Sequence, residues 1–437
     1  MRFSIDSLQW PKRGLTRWFS FALAHSLTHG LTVGLTTSVI FLSGCHGNTP
    51  AKPATDTDTL ASKNGKITSV NRGEWIKDIQ PMNNIDYVIT PEEDHTKLVA
   101  AFKAAKSSIK VGIFGISSRI IGDALKEQIE RGIKVTVICD NYCLQEGKRK
   151  EIFNELKSAG ADMYISSSLF SIAHWKMFVV DDSRAFISTM NFITRANQMR
   201  DFGIFTDDPV IVKEIVKVFA QDVENSKDQT GITPQITSAN LVWSPVNSEG
   251  KLVDLINSAQ STIEIWIENL GNFNVHAALK AAAKRKVDVR VLTSVCGMGM
   301  DHGPAYKNYK DLLSSGVNVK GMPYPANPDM PYIHAKSIHV DNKILFIGSE
   351  NFSYNSLLKA RELGIVLKNK KFQKTLSDYF EKDWTKSVTL PDVAPTSCEP
   401  LTPTPDSSAP ARLKNLKPMT ASEEYRTNYI DMLADMF

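Results

Sequence analysis

Four polar residues recur in the same order at a single spacing. His174, Lys176, Asp181 and Asn191 each have an identical residue 160 positions later, at His334, Lys336, Asp341 and Asn351. Cores repeat in hydrophobic character rather than in the identity of His, Lys and Asn, so packing does not account for the coincidence. A duplication at constant offset means two like domains, each built around its own copy. The chain can supply two cores, since it has 437 residues of which 42% are hydrophobic. Those values exclude a disordered chain, a collagen and a multi-span membrane protein. The net charge is +4, from 51 basic and 47 acidic residues, so there is no bulk field of the kind a nucleic-acid coat carries. Five cysteines are too few for a disulfide scaffold. Cys139 and Cys143 are close enough in sequence to pair with each other, but the preferred reading is a buried thiol or two.

Between residues 85 and 386, β-like apolar runs alternate with helical patterns. In the first half, strands are expected at 109–116, 133–140 and 163–166, and helices at 95–107, 120–131 and 148–159. The second half repeats the order, with strands at 263–268, 287–293 and 317–321 and helices at 251–259, 275–284 and 305–314. Each half closes with extended segments and a last helix, near 210–224 and 372–384. Strands joined by helices of this length imply crossover connections, hence an α/β fold with a largely parallel sheet.

Read as strands, the repeated segments place His174 beside Lys176 and His334 beside Lys336, while Asp341 faces the other way. Asp181-Asp182-Ser183 and Asp341-Asn342-Lys343 are turn chemistry, so each strand folds back as a hairpin. The returning strands carry Thr189 with Asn191, and Ser349 with Asn351. Each half therefore offers an imidazole, a fixed cation, a hydroxyl and an amide. Lys176, Lys336, Asn191 and Asn351, with Thr189 and Ser349, make a cradle for phosphoryl oxygens. Two histidines supply a nucleophile and an acid/base. No acidic cluster adjoins them, so the chemistry expected is phosphoryl transfer through a phosphohistidine, with no metal and no cofactor.

At these residues the sequence resembles the phospholipase D superfamily. His334-Ala-Lys336, Asp341 and Gly348-Ser349-Glu350-Asn351 match the family's HKD signature in full. His174-Trp-Lys176, Asp181 and Ser188-Thr189-Met190-Asn191 match it with Ser in place of Gly. The resemblance implies two tandem α/β/α domains related by a pseudo-two-fold, with one active site at their interface, so that a monomer suffices. It implies His174 as nucleophile and His334 as acid/base, with Asp181 and Asp341 structural. It also places an acid that orients a histidine at Asp201 and Glu362, which follow their own motif histidines by 27 and 28 residues.

The ends of the chain read differently. Lys12, Arg13 and Arg17, an apolar stretch over 31–42 and Leu42-Ser43-Gly44-Cys45 resemble a bacterial lipoprotein signal, which makes Cys45 the lipidated residue. The expected partition is a targeting segment (1–45), a polar tether (46–84), a first domain (85–226), a linker (227–248), a second domain (249–386) and a Pro/Ser/Thr-rich tail (387–437). The tail ends in an amphipathic helix. The function expected is a membrane-attached phospholipase D that hydrolyses glycerophospholipids to phosphatidic acid and a free head group. The alternatives are a superfamily endonuclease acting on DNA or RNA, or a phosphatidyl transferase resembling cardiolipin synthases. The last ranks lower on sequence because those enzymes carry N-terminal membrane spans. A competing location is secretion, with the terminal helix as export signal and foreign membranes as target.

Overall fold

The computed structural model describes residues 73–83, 85–194, 198–296 and 304–391. The stretches expected as a targeting segment with Cys45, as most of the tether and as a terminal helix lie outside the described residues. The first half contributes strands β1 (Asp86–Thr90), β2 (Ser108–Ile113), β3 (Lys134–Cys139), β4 (Asp162–Ile165), β5 (Lys176–Val180), β6 (Arg184–Ser188) and β7 (Met199–Thr206). Its helices are α1 (Thr96–Lys103), α2 (Arg119–Glu130), α3 (Lys148–Ala159) and α4 (Pro209–Asp228). The second half contributes β8 (Leu241–Ser244), β9 (Thr262–Trp266), β10 (Asp288–Ser294), β11 (Asn318–Met322), β12 (Tyr332–Ile333), β13 (Ser337–Val340), β14 (Ile344–Gly348), β15 (Glu362–Leu367) and β16 (Val388–Thr389). Its helices are α5 (Ser248–Ser258), α6 (Phe273–Lys284), α7 (Pro304–Ser314), α8 (Tyr354–Leu358) and α9 (Lys370–Lys386).

The fold is the two-domain α/β arrangement expected, but each sheet is mixed rather than largely parallel. The strand orders are β1-β7-β6-β5-β2-β3-β4, with β12 beside β7, and β16-β11-β10-β9-β13-β14-β15-β8. Within each half only β2, β3 and β4, or β9, β10 and β11, run parallel. Those are the strands joined by crossover helices. Short turns join β5 to β6 and β13 to β14, which makes them antiparallel neighbours, and longer connections return β7 and β15 antiparallel beside them. The segment expected as linker carries an edge strand, because β8 pairs with β15. Residues 73–83 also pack rather than hang free: Trp75 donates to Asp254 and Ile79 is buried in the second half's core.

Three apolar layers hold this together. One lies under α1, α2 and α3, and another under α5, α6 and α7. The third is shared: Met177, Val179, Ile187 and Ile204 of the first sheet meet Trp266, Leu345, Ile347 and Ile365 of the second. α4 and α9 flank that shared layer. α4 begins where Asp208 accepts from the N–H groups of Val210 and Ile211, with Pro209 at its first turn. Its stripe Ile211, Ile215, Val218 and Phe219 then faces the shared layer. α9 repeats the device, with Asn369 capping Phe372 and a buried Phe372, Leu376, Phe380 stripe.

The hairpin turns come out as read. Asp181 and Asp182 have φ of 52° and 51°, and Asp341 and Asn342 have 51° and 53°. Two successive left-handed residues are the reversal that matches strand twist. The Asp181 carboxylate also accepts from the backbone N–H groups of Lys106, Ser107 and Ser108. Asp341 does the same for Gln260, Ser261 and Thr262. Both clamp the far end of their hairpin, away from the histidines.

Candidate active site

The histidines stand just outside the strands on which the alternation argument put them. β5 begins at Lys176 and β13 at Ser337, because the backbone before each pairs with the other half. The N–H groups of His174 and Trp175 donate to the carbonyl of Arg361, and those of His334 and Ala335 to the carbonyl of Arg200. Each lysine then turns back on its own histidine: Lys176 Nζ lies 2.6 Å from the His174 carbonyl, and Lys336 Nζ 2.5 Å from that of His334. Both histidines are only 4% exposed.

The orienting acids are exchanged between halves. His174 Nδ1 lies 3.0 Å from Oε2 of Glu362, and His334 Nδ1 lies 2.8 Å from Oδ1 of Asp201. The family resemblance places an orienting acid at Asp201 and Glu362 without saying which histidine each one serves. Each acid meets the histidine of the other half, because the Arg200 and Arg361 carbonyls that hold the opposite histidine segment directly precede Asp201 and Glu362. The arginine side chains lock the same exchange. Arg200 forks onto Asp383 at 2.7 and 2.8 Å, and Arg361 onto Asp222 at 2.7 and 3.0 Å. All four are buried.

Among the expected phosphate-binding groups, Asn191 reaches across, with Nδ2 3.3 Å from Nε2 of His334. Lys176 and Lys336 both act electrostatically on Glu362, which places the two half-sites in one field. Asn351 is buried at the matching end of β14. Thr189 and Ser349 have a different task. The Thr189 hydroxyl donates to Asp201 and accepts from the N–H of Phe202, and Ser349 Oγ accepts from the N–H of Leu363. They brace the strands that bear the acids.

Electrostatics differ between the two halves. Burial pushes the Glu362 carboxyl up to about 7, against the pull of Lys176 and a hydrogen bond donated by Ser356. Glu350 is buried beside it without a hydrogen-bond partner for either oxygen, and burial and then Glu362 hold it well above the usual range. Its side chain folds back over Gly348, where a Cβ would come within 2.1 Å of Oε2. In the first half Met190 takes this place and joins the core, so Ser188 fits where Gly348 is needed. The Ser-for-Gly departure has its reason there. Glu268, which the sequence reading did not single out, lies 2.7 Å from Lys336 Nζ and 3.8 Å from His334 Nε2. Burial would raise its carboxyl, but Lys336 and then His334 bring it down to about 2.

The missed arginines left a signal. Arg200-Asp201 and Arg361-Glu362 repeat at 161 positions, as do Asp222 and Asp383, one residue off the motif spacing. Cys139 and Cys143 are buried and unpaired, as read.

The model of the family described as "Cardiolipin synthase, PLD-like domain" matches residues 98–223 and 252–384, one segment for each half. The chain is 23% identical to the probable cardiolipin synthase YwiE of Bacillus subtilis over 353 residues, covering 72% of this chain and 69% of that protein. It is 25% identical to the cardiolipin synthase of Listeria innocua over 348 residues, covering 70% of each. The phosphatidylserine synthase of Haemophilus influenzae shares its fold, with a TM-score of 0.54, 11% identity, and 72% of this chain and 90% of that one covered. So does the polyphosphate kinase of Porphyromonas gingivalis, with a TM-score of 0.54, 15% identity, and 80% and 56% covered. The two sequence relatives overturn the expectation of a hydrolytic phospholipase D that releases phosphatidic acid, since both are named cardiolipin synthases. The chain is an enzyme of the phospholipase D superfamily and belongs to its cardiolipin synthase, PLD-like domain family.

Proposed function

We propose that the chain is a phosphatidyl transferase, which moves the phosphatidyl group of a phospholipid onto an alcohol through a phosphohistidine. The observation that carries this reading is the pairing of each histidine with an acid from the opposite half, which builds one composite site from two incomplete ones. In the carboxylate form Glu362 accepts the Nδ1–H of His174, leaving the Nε2 lone pair to attack phosphorus. The bond from phosphorus to the head-group oxygen breaks, and His334 gives that oxygen its proton. In the second step an acceptor alcohol loses its proton to His334 and attacks phosphorus. The P–N bond breaks, releasing the new phosphatidyl ester and returning His174. Lys176, Lys336 and the two asparagines stabilise the charge that builds on the phosphoryl oxygens.

Transfer is favoured over hydrolysis by the small exposure of both imidazoles, which limits water at the intermediate, and by the names of the relatives. The test is incubation of the purified chain with phospholipid vesicles and an alcohol acceptor, with products identified by mass spectrometry. The phosphatidyl ester of the acceptor is the product expected. Phosphatidic acid as the sole lipid product would refute transfer, and cleavage of added plasmid DNA in its place would favour the nuclease reading.

A further inference from the structure

Apolar side chains left in solvent are common and singly mean little, so what informs is where they gather. Eight large hydrophobics stay exposed among the described residues, and six of them are Leu144, Leu169, Ile232, Val246, Phe273 and Tyr354. All six lie at the end of the sheets that carries the histidines. His174 and His334 stand beside the last residues of β2 and β9. Leu144, Leu169, Phe273 and Tyr354 follow the last residues of β3, β4, β9 and β14, which end on that side. Val246 follows β8, whose Ser244 pairs with Glu362. Val210, just past the other end of β7, is on the far side.

Four of the six form one band across the seam between the halves. Gly231 backs onto Leu169, where an added Cβ would come within 3.3 Å of the leucine Cβ, so Ile232 (56% exposed) neighbours Leu169 (65%). Two residues on, the N–H of Ser171 donates to the Lys359 carbonyl of the second half. The Lys359 ammonium lies over the Tyr354 ring, 5.2 Å from its centroid. The Phe352 carbonyl accepts from the N–H groups of Gly271 and Asn272, which brings in Phe273, 81% exposed. Arg361, whose carbonyl holds the His174 segment, is two residues beyond Lys359, so the band passes the site. The loops that build it, 166–173, 229–240, 269–275 and 353–360, hold one charged side chain, Lys359, although 22% of the chain is charged.

We propose that this band is the surface by which the chain docks on a phospholipid bilayer, with Leu169 and Phe273 entering the head-group layer. The inference rests on the reading of the substrate as a phospholipid and adds how the site meets it. Loops without carboxylates do not repel lipid phosphates, and apolar tips gain by leaving water at the interface. Tyr354 has an apolar body and a polar tip, which suits head-group depth, and Lys359 beside it meets the phosphates. A nucleic-acid surface would carry many cations rather than one. Docking on the band sets the His174 end of the seam against the bilayer, so a lipid passes to the site without crossing water.

The test uses the full chain and p-nitrophenol release from two esters. One is a dioleoyl phosphatidyl p-nitrophenyl ester in phosphatidylcholine vesicles, and the other its dibutyryl analogue, dissolved as a monomer. Phe273→Ser and Leu169→Ser are each expected to lower the ratio of vesicle to monomer rate about tenfold, as loss of one buried apolar side chain does, and more together. Val210→Ser, on the far side, leaves both rates unchanged. The two residues lie on different halves and are exposed, so either variant carries the test if the other does not fold. An unchanged ratio in the folded variants would overturn the proposal, as would an equal fall on both esters, which would place the residues in the site itself. Products are identified by mass spectrometry. Phosphatidic acid alone would refute transfer while the rate ratio still decides the docking surface, and no p-nitrophenol from either ester with wild type would refute both.

Discussion

Glu362 lies in the other half of the chain from His174, 188 residues further on, yet its Oε2 is 3.0 Å from Nδ1 of that histidine. Asp201 and His334 make the reciprocal pair. Neither half therefore completes its own histidine, and docking the halves is the same event as building the site. The shared apolar layer and the two buried arginine forks hold the geometry that the chemistry needs.

The exchange assigns each acid to one step. Glu362→Gln is expected to slow formation of the intermediate, as loss of His174 does, and Asp201→Asn to slow the steps that use His334. The loss expected is on the order of 10²–10⁴, the range over which an orienting carboxylate acts. Stopped-flow release of p-nitrophenol from an activated donor separates the steps. Only the glutamine variant should lose the first turnover, and the opposite pattern would restore the acids to their own halves.

The arginine forks make a stability prediction. Asp222→Ala leaves Arg361 as a buried guanidinium without a carboxylate, and Asp383→Ala leaves Arg200 with Glu92 as its remaining carboxylate. Removing one partner of such a pair costs about 3–5 kcal/mol. Urea unfolding of each variant checks this, and a cost below about 1 kcal/mol, typical of a surface pair, would contradict it.

Glu350 is expected to cost stability at neutral pH. Glu350→Met reproduces the first half's Met190 and removes an unsatisfied buried group, a gain of about 1–3 kcal/mol. The sign of the pH dependence follows from the raised carboxyls. Glu362 stays protonated in the folded chain up to about 7, while its unfolded counterpart ionises near 4.5. Between those values the folded state binds more protons, so stability falls as pH rises through the window and levels off above it. Thermal melts from pH 4 to 8 should show that slope reduced in Glu362→Gln.

How much of this was legible depended on whether the two halves agree. His174, Lys176 and Asn191 stand out in the sequence because His334, Lys336 and Asn351 repeat them. The crossover strands and turns followed from periodicity and from the paired residues at Asp181 and Asp341. Alternation failed at Thr189 and Ser349, because β6 and β14 end just before them and a strand's parity says nothing past its last residue. The partner of each acid was illegible, since it is set by how the halves dock. Glu268 was hidden for the opposite reason: a search for identity between repeats passes over the place where they diverge.

The motif aspartates offer a contrast with the histidines. Asp181→Ala and Asp341→Ala remove acceptors for backbone N–H groups far from the site, so they should lower the melting temperature while turnover per folded chain is little changed. The Asp181 carboxyl, which burial would raise, is brought down to about 2 by the N–H groups of Ser108 and Lys106. Its contribution is therefore present above the ordinary carboxylate value and lost as pH falls towards 2. Loss of turnover in a folded Asp181→Ala chain would place this residue in the chemistry.

The central claim is one composite site per chain, with His174 as nucleophile and His334 as acid and base. It is tested most directly by pre-steady-state release of p-nitrophenol from a phosphatidyl p-nitrophenyl ester, a leaving group that needs no protonation. His334→Ala should release one equivalent per chain in a burst and then stall, with the phosphatidyl group found on His174 by mass spectrometry. His174→Ala should show no burst and no adduct. A burst from His174→Ala with the adduct on His334, or two equivalents per chain in any variant, would contradict the account.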